Sequence, residues 1–299
     1  MDWLTKMNAA LNYIENNLTD EIDFNIVAQN ACCSSYNFQR MFSFITDTTL
    51  AEYIRRRRLT QAAIELQNTN AKVLDIAIKY GYDSSTSFAR AFSSLHGLAP
   101  SKAKQAGVNL NAYPKISFQI SIKGDSVMDY RIETKEAFDV FGIEAICSLS
   151  GDKNYITPPK LWQKCHEDGE HDRLESNAGD SHSLLSPTSC KVHAVEFYRK
   201  TEENTFPYML CAFVSKNSKT EGYTIAHIPA QTYVVFSSET FKKQYNEVDF
   251  FKILKIMHKA FYKEWLPTAN YEKADAASFE IYGYAEDCLS VELWYPIVP

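Results

Sequence analysis

Apolar residues recur at helical spacing in the first third of the chain and at alternate positions in much of the remainder. From Val73 to Pro100 they fall three or four positions apart, which predicts two short helices separated by Gly81. The second helix is expected to run from about Ser85 to Leu95. Two short helices joined by a tight turn predict a helix-turn-helix.

The outer face of the predicted second helix carries small polar side chains and an arginine. Phe88 and Phe92 repeat at helical spacing and are expected to face inward. The residues left outside are Ser85, Thr86, Ser87 and Arg90. Hydroxyl groups and a guanidinium near the start of a helix suit hydrogen bonding to base edges in the major groove. We therefore expect these side chains to contact double-stranded DNA.

The same plan occurs a second time, upstream, in residues 24–45. Ala28 corresponds to Ala77 and Phe38 to Phe88, with one residue added in the second turn. The repeat places Arg40 at the position that corresponds to Arg90. Between the copies, residues 50–66 predict a single helix roughly 25 Å long. Such a helix can hold two recognition helices about one DNA turn apart.

Four successive arginines, Arg55 to Arg58, lie within this linking helix. Four consecutive positions turn right around a helix, so at most two of the side chains can face one surface. The others are expected to pair with acids such as Glu52 and Glu65, or with the other domain. Any contact that they make with DNA is expected to be to phosphate rather than to bases.

The N-terminal pattern resembles the DNA-binding domain of the AraC/XylS family of regulators. The residues that carry the resemblance are Ile76-Ala77, Gly81-Tyr82, Phe88, Arg90, Phe92, Gly97 and Pro100, with Tyr53–Leu59 of the linking helix. The resemblance implies that each recognition helix enters one of two successive major grooves. By position it also implies contacts from the first helix through Tyr36, Gln39 and Arg40, and from the second through Ser85, Thr86, Ser87 and Arg90. The chain departs from the family pattern at Cys32 and Asp47, where glycine is usual, and at Ala99, where Ser or Thr is usual.

After Gly107 the pattern changes to alternation, which predicts strands. Strands are expected at residues 115–123, 129–134, 138–149, 191–199, 208–215, 231–238, 278–285 and 289–297. Helices are expected after Pro158-Pro159 and from about Val248 to Trp265, and the polar segment 167–190 is expected to be a loop. The order of these elements predicts two similar α+β halves packed together. The predicted domains are 1–107 and 127–299, joined by a linker and first strand at 108–126.

The last two predicted strands bring two acids and two aromatic rings together. With residues 286–288 as the turn of an antiparallel hairpin, Tyr282 is expected opposite Glu292, and Glu280 opposite Trp294. All four side chains then share one face. Carboxylates beside aromatic rings suit a lipophilic cation, although a solvent-exposed face would show the same spacing.

Residues 127–299 resemble the GyrI-like effector-binding domain. The motifs that carry the resemblance are MDYRIE, IPAQTYVVF, EWLP, FEIYGY and VELWYPI. The resemblance implies a site between two α+β repeats for small, cationic or amphipathic molecules, with the acid of the last strand, Glu292, in the pocket. Tyr282, Trp294 and Glu280 are the neighbouring candidates, and Trp162 is a candidate for the opposite wall.

Charge and composition limit the class of protein. The chain carries −6 overall, but its first 107 residues hold 11 Lys+Arg and 10 Asp+Glu, a balance of +1 that leaves −7 for the rest. The placement of the arginines, not the net charge, therefore supports DNA binding. Seven scattered cysteines fit a reducing compartment, and the chain shows no signal peptide and no membrane span. We expect a cytoplasmic protein.

Two other functions remain open from the sequence. Cys165, His166, His171 and His182 are close in the chain, but their spacing matches no standard zinc site. A hydrolase that uses Glu292 as a base, or a constitutive DNA binder with an inert second domain, is also conceivable. The favoured interpretation is a transcriptional activator, not an enzyme, without cofactor, metal or catalytic residue. Its expected partners are promoter DNA, a small-molecule effector and RNA polymerase, and it binds as a monomer or a dimer.

Overall fold

The computed structural model describes residues 3–105, 107–118, 129–148, 153–181, 185, 188–202, 205–238, 241–242, 247–285 and 288–299. The chain divides into two compact units, Met1–Gln119 and Ile120–Pro299. Within the described ranges, no helix is both long and apolar enough to cross a membrane.

The first unit is helical. Its helices are α1 (Trp3–Asn16), α2 (Phe24–Asn30), α3 (Ser35–Thr46), α4 (Leu50–Asn68), α5 (Val73–Lys79), α6 (Ser85–His96) and α7 (Pro100–Ala103). The bounds of α4 and α6 agree with the predicted helices at 50–66 and 85–95 to within two residues, whereas α7 was not predicted. The second motif closes around Phe88 and Phe92, which are fully buried against α4 residues such as Leu59 and Ala62. Burial of this apolar face is what holds the short helices together.

The two helix-turn-helix motifs share one turn geometry. The amide of Cys33 donates to the Ala28 carbonyl oxygen at 3.1 Å, and the amide of Tyr82 donates to the Ala77 carbonyl oxygen at 2.9 Å. The next helix then begins after a serine N-cap in both copies. In the second copy Asp83 stands between Tyr82 and that serine, so the predicted extra residue lies in the second turn.

The three departures from the family pattern have different structural consequences. Cys32 and Asp47 both adopt positive φ, 54° and 58°, the conformation that glycine takes without strain. Ala99 is the N-cap of α7 and offers no side-chain hydrogen bond, whereas Thr49 caps α4 by accepting from the Glu52 amide at 3.2 Å. The chain therefore keeps the backbone conformation of the family pattern, although Cys32, Asp47 and Ala99 replace the residues that would adopt or cap it at the lowest energetic cost.

Residues 108–118, predicted as part of a linker, pack along the helical unit. Phe118 is buried and exchanges two hydrogen bonds with the side chain of Asn8, both 3.0 Å long. The Tyr113 amide donates to Thr60 Oγ1, and the Arg57 guanidinium donates to the Tyr113 carbonyl oxygen. We call residues 108–118 the strap. Residues 115–118 are not in a strand, and the rest of the strand predicted at 115–123 lies outside the described residues.

The second unit is a sheet with helices. Its strands are β1 (Tyr130–Lys135), β2 (Phe138–Ser148), β3 (His193–Glu196), β4 (Thr205–Phe213), β5 (Thr224–Ile228), β6 (Gln231–Ser237), β7 (Phe241–Lys242), β8 (Glu272–Lys273), β9 (Ser278–Ala285) and β10 (Cys288–Val298). Its helices are α8 (Lys153–Glu167), α9 (Glu170–Asn177) and α10 (Glu247–Ala260), the last continued by a π-helical turn, Phe261–Trp265.

Several predictions for this unit need correction. α9 occupies part of the segment predicted as a loop, and α8 begins at Lys153, ahead of Pro158-Pro159 rather than after them. The strands β5, β7 and β8 were not predicted, because they are short and lack a clean alternation of apolar and polar residues. The strands of the two predicted halves are otherwise present.

The sheet has the strand order β1-β6-β10-β9-β3-β4-β2-β5, with β7 and β8 beside β10. In chain order β1–β4 form one half and β5–β10 the other, and strands of the two halves pair with each other at β1–β6, β2–β5 and β3–β9. One face of the sheet buries an apolar cluster that includes Met209, Phe213, Tyr233, Phe279 and Trp294. Side chains of α8 and α10 contact the other face, through Trp162 on Tyr282 and His258 on Tyr295.

Candidate functional site

Helix α6 presents an open polar face. Ser85, Thr86, Ser87 and Arg90 are all exposed, while Phe88 in the same turn is fully buried. The helix starts at the N-cap Ser84, whose Oγ accepts from the Ser87 amide at 3.2 Å. The predicted DNA-contacting residues of the second motif therefore lie together at the start of a rigid, exposed helix, as groove entry requires.

The candidate DNA-contacting residues of helix α3 are less exposed than those of α6. Gln39 and Arg40 are each only 7% exposed, and Tyr36 is half-buried. The Arg40 guanidinium carbon lies 4.9 Å from the centre of the Phe44 ring, and Gln39 Nε2 donates to Ser35 Oγ at 3.3 Å. The structure thus brings Tyr36, Gln39 and Arg40 onto one helix but does not present them on an open face.

The four consecutive arginines of α4 all contact protein groups. Arg55 and Arg56 both bind Glu52, at 2.7 and 2.6 Å. Arg57 pairs with Glu15 at 2.7 Å, and Arg58 donates to the carbonyl oxygens of Leu18 and Asp20. The expected pairing with Glu52 is present. Glu65, the other acid proposed, pairs instead with Lys79 at 2.8 Å.

The predicted register of the final hairpin is wrong by one residue. Tyr282 lies opposite Val291, and Glu280 lies opposite Leu293, in the same register in which Ala285 pairs with Cys288. A shift of one residue sends every side chain of a strand to the other face. Glu280 and Tyr282 therefore lie on the face that α8 and α10 contact, whereas Glu292 and Trp294 lie on the opposite one.

Glu292 and Trp294 belong to a structural network. Two nitrogens of Arg131 contact the two carboxylate oxygens of Glu292, at 2.8 and 2.9 Å, and the Trp294 indole N–H donates to the same carboxylate at 2.9 Å. The pairing with Glu292 is the main cause of a raised pKa at Arg131. The Trp294 ring itself is buried beside Tyr233 and Phe279. The carboxylate of Glu292 and the indole N–H of Trp294 are therefore already bound by protein groups.

Glu280 lies in an aromatic cluster. Its side chain is only 12% exposed, and its Oε2 atom accepts hydrogen bonds from the Tyr282 hydroxyl at 2.6 Å and the Tyr208 hydroxyl at 3.5 Å. The Trp162 indole N–H donates to the Tyr208 hydroxyl oxygen at 3.0 Å, and its ring meets the Tyr282 ring edge-on at 5.3 Å. We call Trp162, Tyr208, Glu280 and Tyr282 the acidic aromatic cluster.

Two members of this neighbourhood were missed by the sequence. Tyr208 comes from β4 and His258 from α10, where His258 Nε2 lies 3.9 Å from Glu280 Oε1. His258 also shares a short hydrogen bond with the Tyr295 hydroxyl. Both residues are far from Glu280 in sequence and sit in ordinary apolar patterns, so no local signal separates them from core residues.

The phenol of Tyr282 is fixed as a donor. Burial, followed by the charge of Glu280, raises the pKa of Tyr282 well above its ordinary value. Behind it, burial lowers the pKa of His193 to about 3, so this imidazole is neutral. His193 Nδ1 accepts the Tyr282 amide at 3.1 Å, which fixes the backbone that carries the phenol.

The histidines that suggested a metal site are arranged differently. His171, Asp172 and Glu175 have ligand atoms within 4.8 Å of one another, but both carboxylates are exposed. Cys165 is buried, and burial raises the pKa of its thiol, which disfavours the thiolate that binds metal. His182 lies outside the described residues. Cys165 and His171 do not belong to one donor set in the described part of the chain.

Comparison with known families agrees with the division into two units. Residues 131–297 match the family described as integron-associated effector binding protein. Residues 27–106 match a helix-turn-helix domain family.

Among curated proteins, the chain is similar to the HTH-type transcriptional activator AarP of Providencia stuartii, with 43% identity over 99 residues, which are 33% of this chain and 73% of AarP. It is also similar to the regulatory protein SoxS of Escherichia coli K12, with 37% identity over 89 residues, or 30% of this chain and 83% of SoxS. Among solved structures, that of SAV2435 bound to tetraphenylphosphonium is similar over 57% of this chain and 94% of that one, with 16% identity and a TM-score of 0.43.

Proposed function

The chain belongs to the integron-associated effector-binding family through residues 131–297 and to the AraC-type regulators through its N-terminal domain, and we propose that a cationic aromatic effector controls its activity at promoters. The AraC/XylS and GyrI-like resemblances are thereby confirmed at the level of family. The protein is a DNA-binding transcriptional regulator with a C-terminal effector-binding domain.

The DNA contacts are assigned first to α6. Ser85, Thr86, Ser87 and Arg90 are exposed at the start of a helix whose other face is buried, so they can enter a major groove without any change in the fold. Tyr36, Gln39 and Arg40 are proposed to contact the next groove. Because Gln39 and Arg40 are buried, this second contact requires their surroundings to change.

The effector is assigned to the acidic aromatic cluster. The observation that supports this most strongly is the Glu280 carboxylate, almost withdrawn from water and held by Tyr282 at 2.6 Å among aromatic rings. A carboxylate in such surroundings is stabilised by a positive charge, and the rings add apolar contact and cation–π attraction. The cluster therefore favours a small cation with an aromatic or other apolar body.

DNA binding can be tested with duplex from upstream of the protein's own gene. We expect specific binding that weakens steeply with salt, because phosphate contacts release counterions. Arg90→Ala should cost about 1–3 kcal/mol of specific binding. Arg173→Ala, an exposed arginine of the second unit, is the matched control and should bind normally. Unchanged binding by Arg90→Ala would remove α6 from the DNA interface.

The effector site can be tested by thermal unfolding and calorimetry with tetraphenylphosphonium, a lipophilic monocation. A ligand at 100 times its dissociation constant adds about 2.7 kcal/mol to the free energy of unfolding. Glu280→Gln should abolish this stabilisation, whereas Glu292→Gln, the matched change on the opposite face of the hairpin, should keep it. The reverse pattern would assign the effector to Glu292.

Coupling of the two domains is the final part of the proposal. Effector binding is expected to change affinity for the cognate duplex or transcription from it in the presence of RNA polymerase. One chain supplies two recognition helices, so a monomer suffices to contact two grooves. Equal DNA binding and equal transcription with and without bound cation would exclude this coupling.

A further inference from the structure

The two halves of the second unit are related by an approximate two-fold axis at the centre of the sheet. The strand order reads the same from both ends when β1, β6, β10 and β9 are exchanged for β5, β2, β4 and β3. The central pairing is symmetrical too: Val195 lies opposite Phe279, Glu196 opposite Ser278, and Glu280 opposite Ala194. The axis therefore passes by Val195 and Phe279 and relates Glu196 to Glu280.

Both glutamates lie on the same face of the sheet. Opposed residues of antiparallel strands share a face, so Ala194 shares the face of Glu280, and Glu196 shares that of Ala194, two positions away. Glu196 also lies opposite Tyr208, a member of the acidic aromatic cluster. The cluster thus has a second carboxylate on the same face of the sheet, Glu196.

Tyr208 links the two acids. It is the cross-strand neighbour of Glu196, and its hydroxyl lies 3.5 Å from Glu280 Oε2. Glu196 is 4% exposed and its Oε2 atom is buried, so both carboxylates are largely removed from water. Cross-strand residues in this diagonal relation have their Cα atoms about 7–8 Å apart.

Two buried carboxylates at this separation repel each other and lose hydration, and both costs fall when positive charge is brought between or beside them. A monocation next to Glu280 offsets only one of them. A molecule with two positive centres, joined by an apolar spacer about as long as the separation of the acids, offsets both. The rings of Tyr208, Tyr282 and Trp162 supply apolar contact for such a spacer.

We propose that the effector is a dication, with one positive centre at Glu280 and the other at Glu196, joined by a single aromatic ring. This inference rests on the proposed function of the acidic aromatic cluster and specifies its ligand class. Tyr208, between the two acids, would contact the spacer.

The test compares two ligands that differ by one charge. Benzyltrimethylammonium carries one quaternary nitrogen on a benzyl group, and 1,4-bis(trimethylammoniomethyl)benzene carries two on the same ring. Calorimetry with the full-length chain should show the dication binding at least tenfold more tightly. A gain below tenfold overturns the proposal, since two equivalent binding groups alone give about twofold.

The variants assign the gain to a residue. Glu196→Gln should remove the tenfold gain in affinity of the dication over the monocation. Glu280→Gln should weaken both ligands. If Glu196→Gln retains the full gain, Glu196 is not the second contact and the proposal is wrong. Glu196→Asp keeps the charge and should keep the preference for the dication.

A spacer series keeps the test decisive if Glu196→Gln does not fold. In the unmodified chain, dications with one ring should bind more tightly than those with a biphenyl or a decamethylene spacer, and affinity that ignores spacer length would overturn the inference. Failure of the inference is distinct from failure of the proposed function. Monocation binding that depends on Glu280, without a dication gain, refutes only the inference, whereas binding that ignores Glu280 refutes both.

Discussion

Cys32 occupies in the first helix-turn-helix the position that Gly81 occupies in the second, and the backbones of both residues have positive φ, 54° and 80°. The hydrogen bonds that close the two turns are equivalent, so the turn geometry is imposed by the packing of the helices rather than by the residue. A side chain with a Cβ is strained in this conformation, at a cost of about 1–2 kcal/mol.

Cys32→Gly is therefore expected to stabilise the helical unit. Glycine removes the strain but has more freedom in the unfolded chain, so the net gain should be about 0.5–1 kcal/mol. Denaturant unfolding measures this gain in the free energy of unfolding, provided that the two proteins have the same m-value. The reciprocal change, Gly81→Ala, should destabilise the unit, because alanine would be held at a φ of 80°. Its Cβ would also lie 2.9 Å from Arg58 Nη1, so the guanidinium would have to shift. A stabilising Gly81→Ala would contradict this explanation.

The buried ion pair between Glu15 and Arg57 predicts an acid-sensitive helical unit. Burial acts to raise the pKa of Glu15, but hydrogen bonds from Arg57 and Tyr53 outweigh it and hold the pKa below the ordinary value of 4.5. A carboxyl with a depressed pKa adds stability above its unfolded-state pKa, and this stability is lost as the pH falls through the folded-state value. Unfolding measured from pH 7 down to pH 3 should show the loss below about pH 4.5.

Glu15→Gln should remove that pH dependence and cost about 3–5 kcal/mol at pH 7, since it leaves the Arg57 charge buried beside a neutral partner. Glu52→Gln is the control. Glu52 binds two arginines, Arg55 and Arg56, but its side chain is 29% exposed. The loss of stability in Glu52→Gln should therefore be much smaller than that in Glu15→Gln. Equal losses in the two variants would show that burial does not set the strength of the pair.

The sequence predicted most helices of the first unit from apolar residues at helical spacing and from recognisable ends, such as the Ser84 cap and the stop at Gly97. The predicted pairing of the last two strands, β9 and β10, was wrong. The pairing of the two strands is shifted by one residue from the predicted pairing, which places Glu292 and Trp294 on the opposite face from Glu280 and Tyr282. No pattern in a single strand carries that information, because the register depends on the turn.

The candidate site shows a second limit. Glu280, Tyr282 and Trp162 were predicted and are brought together, but Tyr208, His258 and Glu196 join them only through the pairing of β3, β4 and β9 and the position of α10. The packing of the strap on the helical unit was likewise not predicted from the sequence. Its residues alternate like a strand, yet Phe118 finds its partners on α1 and α3 rather than in a sheet.

Phe118→Ala tests whether the strap belongs to the helical unit. The ring is buried, with its centre 5.9 Å from that of Trp3 and 6.4 Å from that of Phe42. Its removal should lower the free energy of unfolding by about 3–5 kcal/mol. Lys115→Ala, an exposed strap residue, should change it by less than about 0.5 kcal/mol. If both variants unfold like the parent chain, residues 108–118 act as a simple linker.

The two tryptophans of the predicted site are expected to behave differently, because they lie on opposite faces of the sheet. Trp162 is half-buried and contacts Tyr282, so a cation bound at Glu280 should change its fluorescence. Trp162→Phe should abolish that change with little loss of stability. Trp294→Phe should preserve the ligand response but lower the free energy of unfolding by about 1–3 kcal/mol, since the indole is buried and hydrogen-bonded to Glu292. A response that disappears only in Trp294→Phe would place the ligand on the Glu292 face, and the corrected register would then not locate the site.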